Sequence, residues 1–549
     1  MIILSIHLGH DSSVCILNDG NLEKYFLVER YTRKKHDDDR KFISNLVSGI
    51  SVKLKEKLDV ICVSDFKPPQ GDTFISTMFE ECRKYNSNIK LILQQDHHLN
   101  HASLAFYNSK FDESLVVVVD GAGSKVRDNL LEVESIFSFN NEKNTLIYKN
   151  VIKDVLTSNF TPQNFLNMWT TNNNPSEEIS EYECKNIFGI GTVYDIAAIL
   201  IGHTHNDCGK AMGLSSYGES NKLFENIFLH KNTLNNGFFK NSSKEVQHFL
   251  VNPIKEITKD NYKLHADFCY EVQKQTQRAL GDLIEDSIKK TGIEKVCISG
   301  GYGMNIVANH YYLQRFPDVE FYFEPLCNDN GISIGAAMNS YIQLTGKIPK
   351  PNQTTFFHGV HYDVSSHKGF KVSLKEIAYL LNQNKSIGVY RDLAEGGQRA
   401  LGNRSILFNA LNPDAKDIVN KIKKREWYRP FACVVLEEDA DTYFDMGRIK
   451  SSPFMTICFP IRQEYVKILS GITHVDNTCR IQTVSKTDGY LYKLLQEFKK
   501  LSGYGILLNT SFNLAGEPLV ETPTDASNTL NNSSLDYLWF EETQQLLSR

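Results

Sequence analysis

The chain has 549 residues, 41% hydrophobic and 23% charged, too long for one hydrophobic core and therefore expected to form two or more domains. A net charge of -5 gives no electrostatic reason to expect a nucleic-acid partner, and no apolar run approaches the roughly 18–20 residues a membrane span needs. The 11 cysteines are scattered singly with no C-x-x-C pair, which argues against a disulfide framework or a cysteine zinc site and suits a reducing cytoplasm.

In chain order, ILSIHLG predicts a first strand rather than a signal peptide. A turn at Gly9-His10-Asp11 leads to SVCILNDG, a second strand, and residues 22–29 make a third. A small polar turn between two strands can point backbone N–H groups at an anion. DHHLNHASLAFYN predicts a helix, and LVVVVDGAGS a buried strand ending in a tight turn. Residues 155–185, rich in Asn, Thr and Ser, read as an insertion or mobile loop. Residues 191–203 read as a buried helix. In 264–292, Phe268, Val272, Ala279, Leu280, Leu283, Ile284 and Ile288 share one helical face, with Gly292 suited to the C′ position. The strand VCIS then runs into Gly300-Gly301-Tyr302-Gly303. After a helix over 332–345, Pro349 and Pro351 mark a linker, and a new alternating pattern begins near 354. No internal repeat is visible. These elements predict an α/β protein in two parts, 1–348 and 355–549.

Two groups of residues carry chemistry. His97 and His101, spaced i, i+4, present both imidazoles to one side of a helix, the spacing needed to grip one metal ion. Asp120 ends a strand and Asp329 lies in the CNDNG turn, so each carboxylate can emerge beside them. Two histidines with carboxylates form a hard, open site suited to Fe(II), Mn or Zn. His98 points elsewhere on the helix. His10, in a turn between strands, has the titration range of a general base, and the glycines of GKAMG, Gly300, Gly301 and Gly303 allow close approach of phosphate.

The last third interleaves basic residues with glycine and serine. GGQRALGNRSI places Arg399 and Arg404 around a turn, VNKIKKREWYRPFA adds Lys421, Lys423, Lys424, Arg425 and Arg429, and Arg480, Asn509 and Ser511 follow. Cationic forks with amide and hydroxyl donors suit polyphosphate and a carbamoyl group. Lys421 and Lys424 read as a solvated helix face. Arg429 stands between Trp427, Tyr428, Pro430 and Phe431, an apolar setting in which a cation calls for an anion.

These motifs, in this order, resemble the NodU/CmcH family of carbamoyltransferases. The resemblance is carried by GHDSS, ERYTRKKHD, DHHLNHA, VVVVDGAGS, GKAMGLSSYG, SGGYGMN and NDNGISIGAA. It continues through GGQRALGNRSIL, VNKIKKREWYRPFA, HVDNTCRIQTV and LNTSFNLAGEPLVETP. It implies an N-terminal actin/hexokinase-like (ASKHA) domain and a C-terminal YrdC-like domain. The latter would make carbamoyl-AMP from carbamoyl phosphate and Mg–ATP, and the former would pass the carbamoyl group to a hydroxyl of a small molecule or glycan. By the same resemblance His97, His101, Asp120 and Asp329 hold a divalent metal, Fe(II) before Mn or Zn, and His10 serves transfer. Lys423, Arg429, Arg480, Asn509 and Ser511, with Arg399 nearby, surround carbamoyl phosphate and ATP; Lys210, Gly213, Gly300, Gly301 and Asn305 meet the carbamoyl-adenylate. The family also admits a homodimer. The chain departs from the family's pattern at Gly396, Gln398 and Asn477, the last standing where glycine is usual. A tRNA threonylcarbamoyl-type enzyme and a non-catalytic nucleotide sensor share these domain types; the acidic balance speaks against the first and the cationic cluster against the second.

Overall fold

The computed structural model describes residues 1–65, 72–127, 130–153, 177–180, 183–186, 189–230, 233–234, 242–350 and 356–549. Most of the 155–185 segment lies outside them. Its described parts, Glu177–Ser180 and Glu183–Asn186, are two short strands. The chain divides into two compact units: residues 1–23 with 40–352, and residues 24–39 with 353–549. Beside the single boundary expected between 348 and 355, the segment 24–39, which holds ERYTRKKHD, groups with the second unit.

The first unit is built on one plan used twice. In the first half, β1 (Ile2–Leu8), β2 (Ser13–Asn18) and β3 (Asn21–Leu27, grouped with the second unit from Lys24 on) form a meander, and β4 (Leu58–Asp65) and β5 (Lys90–Gln94) extend the sheet from the far side of β1, in the order β3-β2-β1-β4-β5. Helices α1 (Arg40–Leu54), α2 (Thr73–Arg83) and α3 (His97–Ser109) alternate with the last two strands. β1 and β4 pair in parallel and are buried on both faces, which explains their unbroken apolar runs.

The second half repeats this. β6 (Glu113–Val119), β7 (Leu130–Asn140) and β8 (Asn144–Lys153) form the antiparallel meander. After α4 (Ile190–Leu200) and α5 (Cys208–Ser215) come α6 (Lys263–Thr291), β9 (Lys295–Ser299), α7 (Ile306–Arg315), β10 (Glu320–Phe323) and α8 (Ile332–Thr345). β9 lies parallel to both β6 and β10. The sequence displays no repeat, yet the order of strands and helices is duplicated, as in an actin/hexokinase-like fold. α6 ends at Gly292 with φ 75, the left-handed cap expected of that glycine.

The closing helices of the two halves, α3 and α8, pack on each other. A Cβ at Gly335 would strike the carbonyl of Asn100, and Asn339 donates to Asn100 Oδ1 at 2.8 Å while accepting from Ser103 Oγ at 2.6 Å. No helix among the described residues is long and apolar enough to cross a membrane.

The second unit is also α/β. Among the described residues its sheet has nine strands. The central ones are β11 (Ile387–Tyr390), β12 (Arg404–Asn409), β13 (Ala432–Leu436), β14 (Thr478–Val484), β15 (Ile506–Ser511) and β16 (Tyr537–Phe540). Alternate side chains serve opposite layers. Leu407 joins Trp539, Leu381 and Leu495 beneath α9 (Leu374–Asn382), while Ile406 joins Phe512, Ile422 and Leu530 beneath α10 (Ala415–Lys423). α11 (Gly489–Ser502) and α12 (Pro523–Asn531) complete the two layers.

Candidate metal and anion sites

The duplicated plan brings four chain-distant side chains to one place in the first unit. α3 supplies His97 and His101 from its first two turns, Asp120 follows the end of β6, and Asp329 opens the short turn before α8. One donor atom from each lies within 4.8 Å of the others. His101 Nε2 is 3.2 Å from Asp120 Oδ2 and 3.5 Å from Asp329 Oδ1; His97 Nε2 is 3.4 and 3.5 Å from the same oxygens. His101 Nε2 and Asp329 Oδ1 are buried without a hydrogen-bond partner among the described residues. Unsatisfied nitrogen and carboxylate atoms converging on one point fit a cation, so this group can hold a metal ion.

The charge balance agrees. Burial disfavours a proton on His97, yet the Asp329 and Asp120 carboxylates lift it to about 10. Burial and Asp329 push the Asp120 carboxyl up, but His101 and His97 overcome them and hold it near about 2. Two carboxylates here, Asp329 buried and Asp120 nearly so, demand positive charge, which protons or a divalent ion can supply.

His10 sits in the β1–β2 turn beside this cluster. Its Nδ1 is 3.2 Å from Asp11 Oδ2 and its Nε2 3.3 Å from Asp329 Oδ2. Asn328 Nδ2 donates to the same Asp11 oxygen at 2.8 Å. Desolvation opposes charge on His10, but Asp329 and Asp11 raise it to about 10. Gly9, at φ 132, and Asp11, at φ 59, shape the turn. His98 belongs to another network, with Nδ1 2.8 Å from Ser135 Oγ.

Of the other residues singled out in this unit, Gly300 and Gly301 lie against the same strand end. Gly301 is close enough to Asp120 that a Cβ would stand 3.1 Å from Oδ1, and Gly300 turns at φ 82 against the backbone of Val119. Asn305 caps α7 through Ala308 N–H at 3.0 Å and exchanges amide contacts with Gln273, so its side chain is engaged within the unit. Lys210, on α5 with Gly213, lies 3.3 Å from Asp207 Oδ1 and from His203 Nδ1.

In the second unit Lys423 ends α10, 3% exposed. Its ammonium donates toward Ser511 O, Ser511 Oγ at 3.0 Å, Asn513 O at 3.0 Å and Asn513 Oδ1 at 2.9 Å. Burial, then Arg425, Arg429 and Lys35, press its pKa well below the usual lysine range. Arg480 is likewise destabilised by burial and by Arg399, Arg425 and Arg429, and its Nε is buried without a hydrogen-bond partner among the described residues. Asn509 donates to Gln482 Oε1 at 2.9 Å, leaving its own Oδ1 buried and unpartnered among the described residues. Mutually repelling cations gathered in this way favour an anion between them, so this group can serve as a candidate anion site.

Two readings of this region change. The basic side chain on the aromatic wall is Arg425, whose guanidinium lies 4.0 Å over the Phe431 ring; Arg429 is more open, with 29% of its side chain exposed and Glu426 3.7 Å away. Arg404 does not stand in a turn. It opens β12 fully buried, stacks 3.7 Å over Tyr390 and donates to the carbonyls of Asp392 and Asn403 at 2.9 and 3.1 Å. Lys421 and Lys424 are exposed. Glu395, passed over in the sequence, organises the Arg399 loop by accepting N–H groups of Leu401, Asn403 and Arg404 at 2.7, 2.9 and 3.1 Å. Its signal was an acidic residue immediately before a double glycine. Asn477 takes φ 59, a conformation that asparagine tolerates in place of glycine.

The chain matches two family models, Carbamoyltransferase N-terminus over residues 67–338 and Carbamoyltransferase C-terminus over residues 378–546. Nodulation protein NolNO of Sinorhizobium fredii is 27% identical over 96% of this chain and 78% of its own length. Nodulation protein U of Rhizobium tropici is 32% identical over 45% of this chain and 43% of its own. Full-length HypF, solved in a phosphate- and nucleotide-bound form, aligns with a TM-score of 0.41 at 16% identity over 63% of this chain and 56% of that one. With both models of one family matched in order along its length, the chain belongs to the carbamoyltransferases and is an enzyme of that family.

Proposed function

We propose that the protein is an ATP-dependent O-carbamoyltransferase that works in two steps. In the second unit, a YrdC-like part, carbamoyl phosphate gives up its phosphate to water, leaving carbamate. The carbamate oxygen attacks the α-phosphorus of Mg–ATP, so that carbamoyl-AMP forms and pyrophosphate leaves. Lys423, Arg429, Arg480 and Arg399 neutralise the phosphates, with Asn509 and Ser511 as polar contacts to the small carbamoyl group.

In the first unit the carbamoyl carbon of carbamoyl-AMP is attacked by a hydroxyl of a small molecule or glycan, and AMP departs. Asp329 is the main group raising His10, so with that carboxylate committed to a cation His10 would be free to stand neutral and take the hydroxyl proton; Asp11, 3.2 Å from Nδ1, orients the ring and stabilises the imidazolium. Lys210, Gly213, Gly300, Gly301 and Asn305 line the adenylate side. His97, His101, Asp120 and Asp329 would hold a divalent cation, Fe(II) before Mn or Zn, whose chemistry when bound would be that of an electrophile for the carbonyl oxygen. The observation that carries this reading is His10 standing against a four-donor cluster, 3.3 Å from Asp329.

The test offers the purified protein ATP and radiolabelled carbamoyl phosphate over a panel of hydroxylated glycans. Wild type forms carbamoyl-AMP and labels a glycan. Arg429→Ala forms neither product, and His10→Ala forms carbamoyl-AMP but labels nothing. A His10→Ala protein unable to make carbamoyl-AMP would overturn the assignment of steps.

A further inference from the structure

One buried carboxylate outside the cluster touches both segments that carry its ligands. Glu132, on β7 and 1% exposed, accepts the backbone N–H groups of His98 and Ser124 on Oε1, at 3.1 and 3.2 Å. Its Oε2 lies 2.6 Å from Lys149 Nζ on β8. Ser124 in turn accepts the N–H of His97 on its hydroxyl at 3.2 Å and donates to the carbonyl of Gln95. The first turn of α3 and the loop after Asp120 are thereby tied to one anion. Gly123 makes the approach possible, since a Cβ there would stand 2.7 Å from Glu132 Cγ and 2.9 Å from His98 Nε2.

We propose that Glu132, held by Lys149, is a positioning residue of the metal centre, fixing His97 and His101 against Asp120 and making the N-terminus of α3 tolerant of a cation. This rests on reading the cluster as a metal site. A helix N-terminus carries roughly half a positive charge, which opposes a divalent ion bound within its first two turns. Asp96 caps this end through Leu99 N–H at 2.9 Å, and Glu132 adds the second carboxylate. Lys149, 2.6 Å from Oε2, pairs with that carboxylate and holds it in one rotamer. A merely structural tie needs only an acceptor for N–H groups, which a glutamine provides; the charge is what the metal requires.

The decisive variant is therefore Glu132→Gln with Lys149→Met, which keeps an acceptor and leaves no unpaired buried charge. Metal-depleted full-length protein is titrated with Co(II), read by calorimetry and by the d–d absorption of the bound ion, and the metal-free forms are melted in parallel. The double variant is expected to melt close to wild type when metal-free but to bind Co(II) about 10-fold to 100-fold more weakly, with a shifted spectrum. Glu132→Asp, which keeps the charge but shortens the reach, is expected to lose less. Wild-type Co(II) affinity and spectrum in the double variant would overturn the positioning role alone. Co(II) binding unaffected by His97→Ala would overturn the metal reading and this inference with it.

Discussion

Single carboxyl groups set the electrostatics of the first unit, and Glu324 shows how. It is 1% exposed, and its carboxyl accepts from Leu326 N–H at 2.8 Å, Asn108 at 3.1 Å and Tyr322 at 3.2 Å. Burial pushes it from 4.5 up to about 7. The folded state therefore binds its proton more tightly than the unfolded chain, and stability from this group falls as pH rises from about 4.5 to about 7, by on the order of 3 kcal/mol. Glu324→Gln should flatten the dependence of denaturant midpoint on pH across that window; an unchanged slope would show that Glu324 ionises normally. The grouping of His97, His101, Asp120 and Asp329 was legible in the sequence because the histidines share one face of α3 at i, i+4 and each aspartate stands at the edge of an element. Glu132 was not, because in EVESIFSF it reads as an ordinary polar residue on an alternating strand. Arg425 was hidden for a related reason: neighbours in sequence made Arg429 look enclosed, while the fold lays Arg425 on Phe431.

Among elements, the contact of α3 with α8 sets His97 and His101 against Asp329. Asn100 lies between His97 and His101 on one helix, and Gly335 follows Asp329 closely on the other. Gly335→Ala should force the helices apart, costing about 1–3 kcal/mol of stability and weakening metal binding, both measurable by denaturation with and without added ion. Retained stability and affinity would mean that the close approach at Gly335 is dispensable. Helix positions were readable from apolar spacing and caps, as the end of α6 at Gly292 shows. Their partners were not, since nothing in a one-dimensional pattern says that Gly335 meets Asn100.

At the scale of the whole molecule, the expected α/β class holds for both units, but the duplication inside the first unit left no trace in the sequence. Strand order is fixed by which apolar faces are buried and how the connections run, and many residue choices satisfy those demands. The grouping of residues 24–39 with the second unit was equally invisible, because a short charged segment carries no address. The family was readable further than the topology, since its motifs restrict residue types far more tightly than a core does. Activation of carbamate by the second unit, independent of His10, is open to a single measurement, pyrophosphate–ATP exchange without acceptor. Labelled pyrophosphate should enter ATP only when carbamoyl phosphate is present, at comparable rates in wild type and His10→Ala. Exchange that ignores carbamoyl phosphate, or that disappears in His10→Ala, would contradict it.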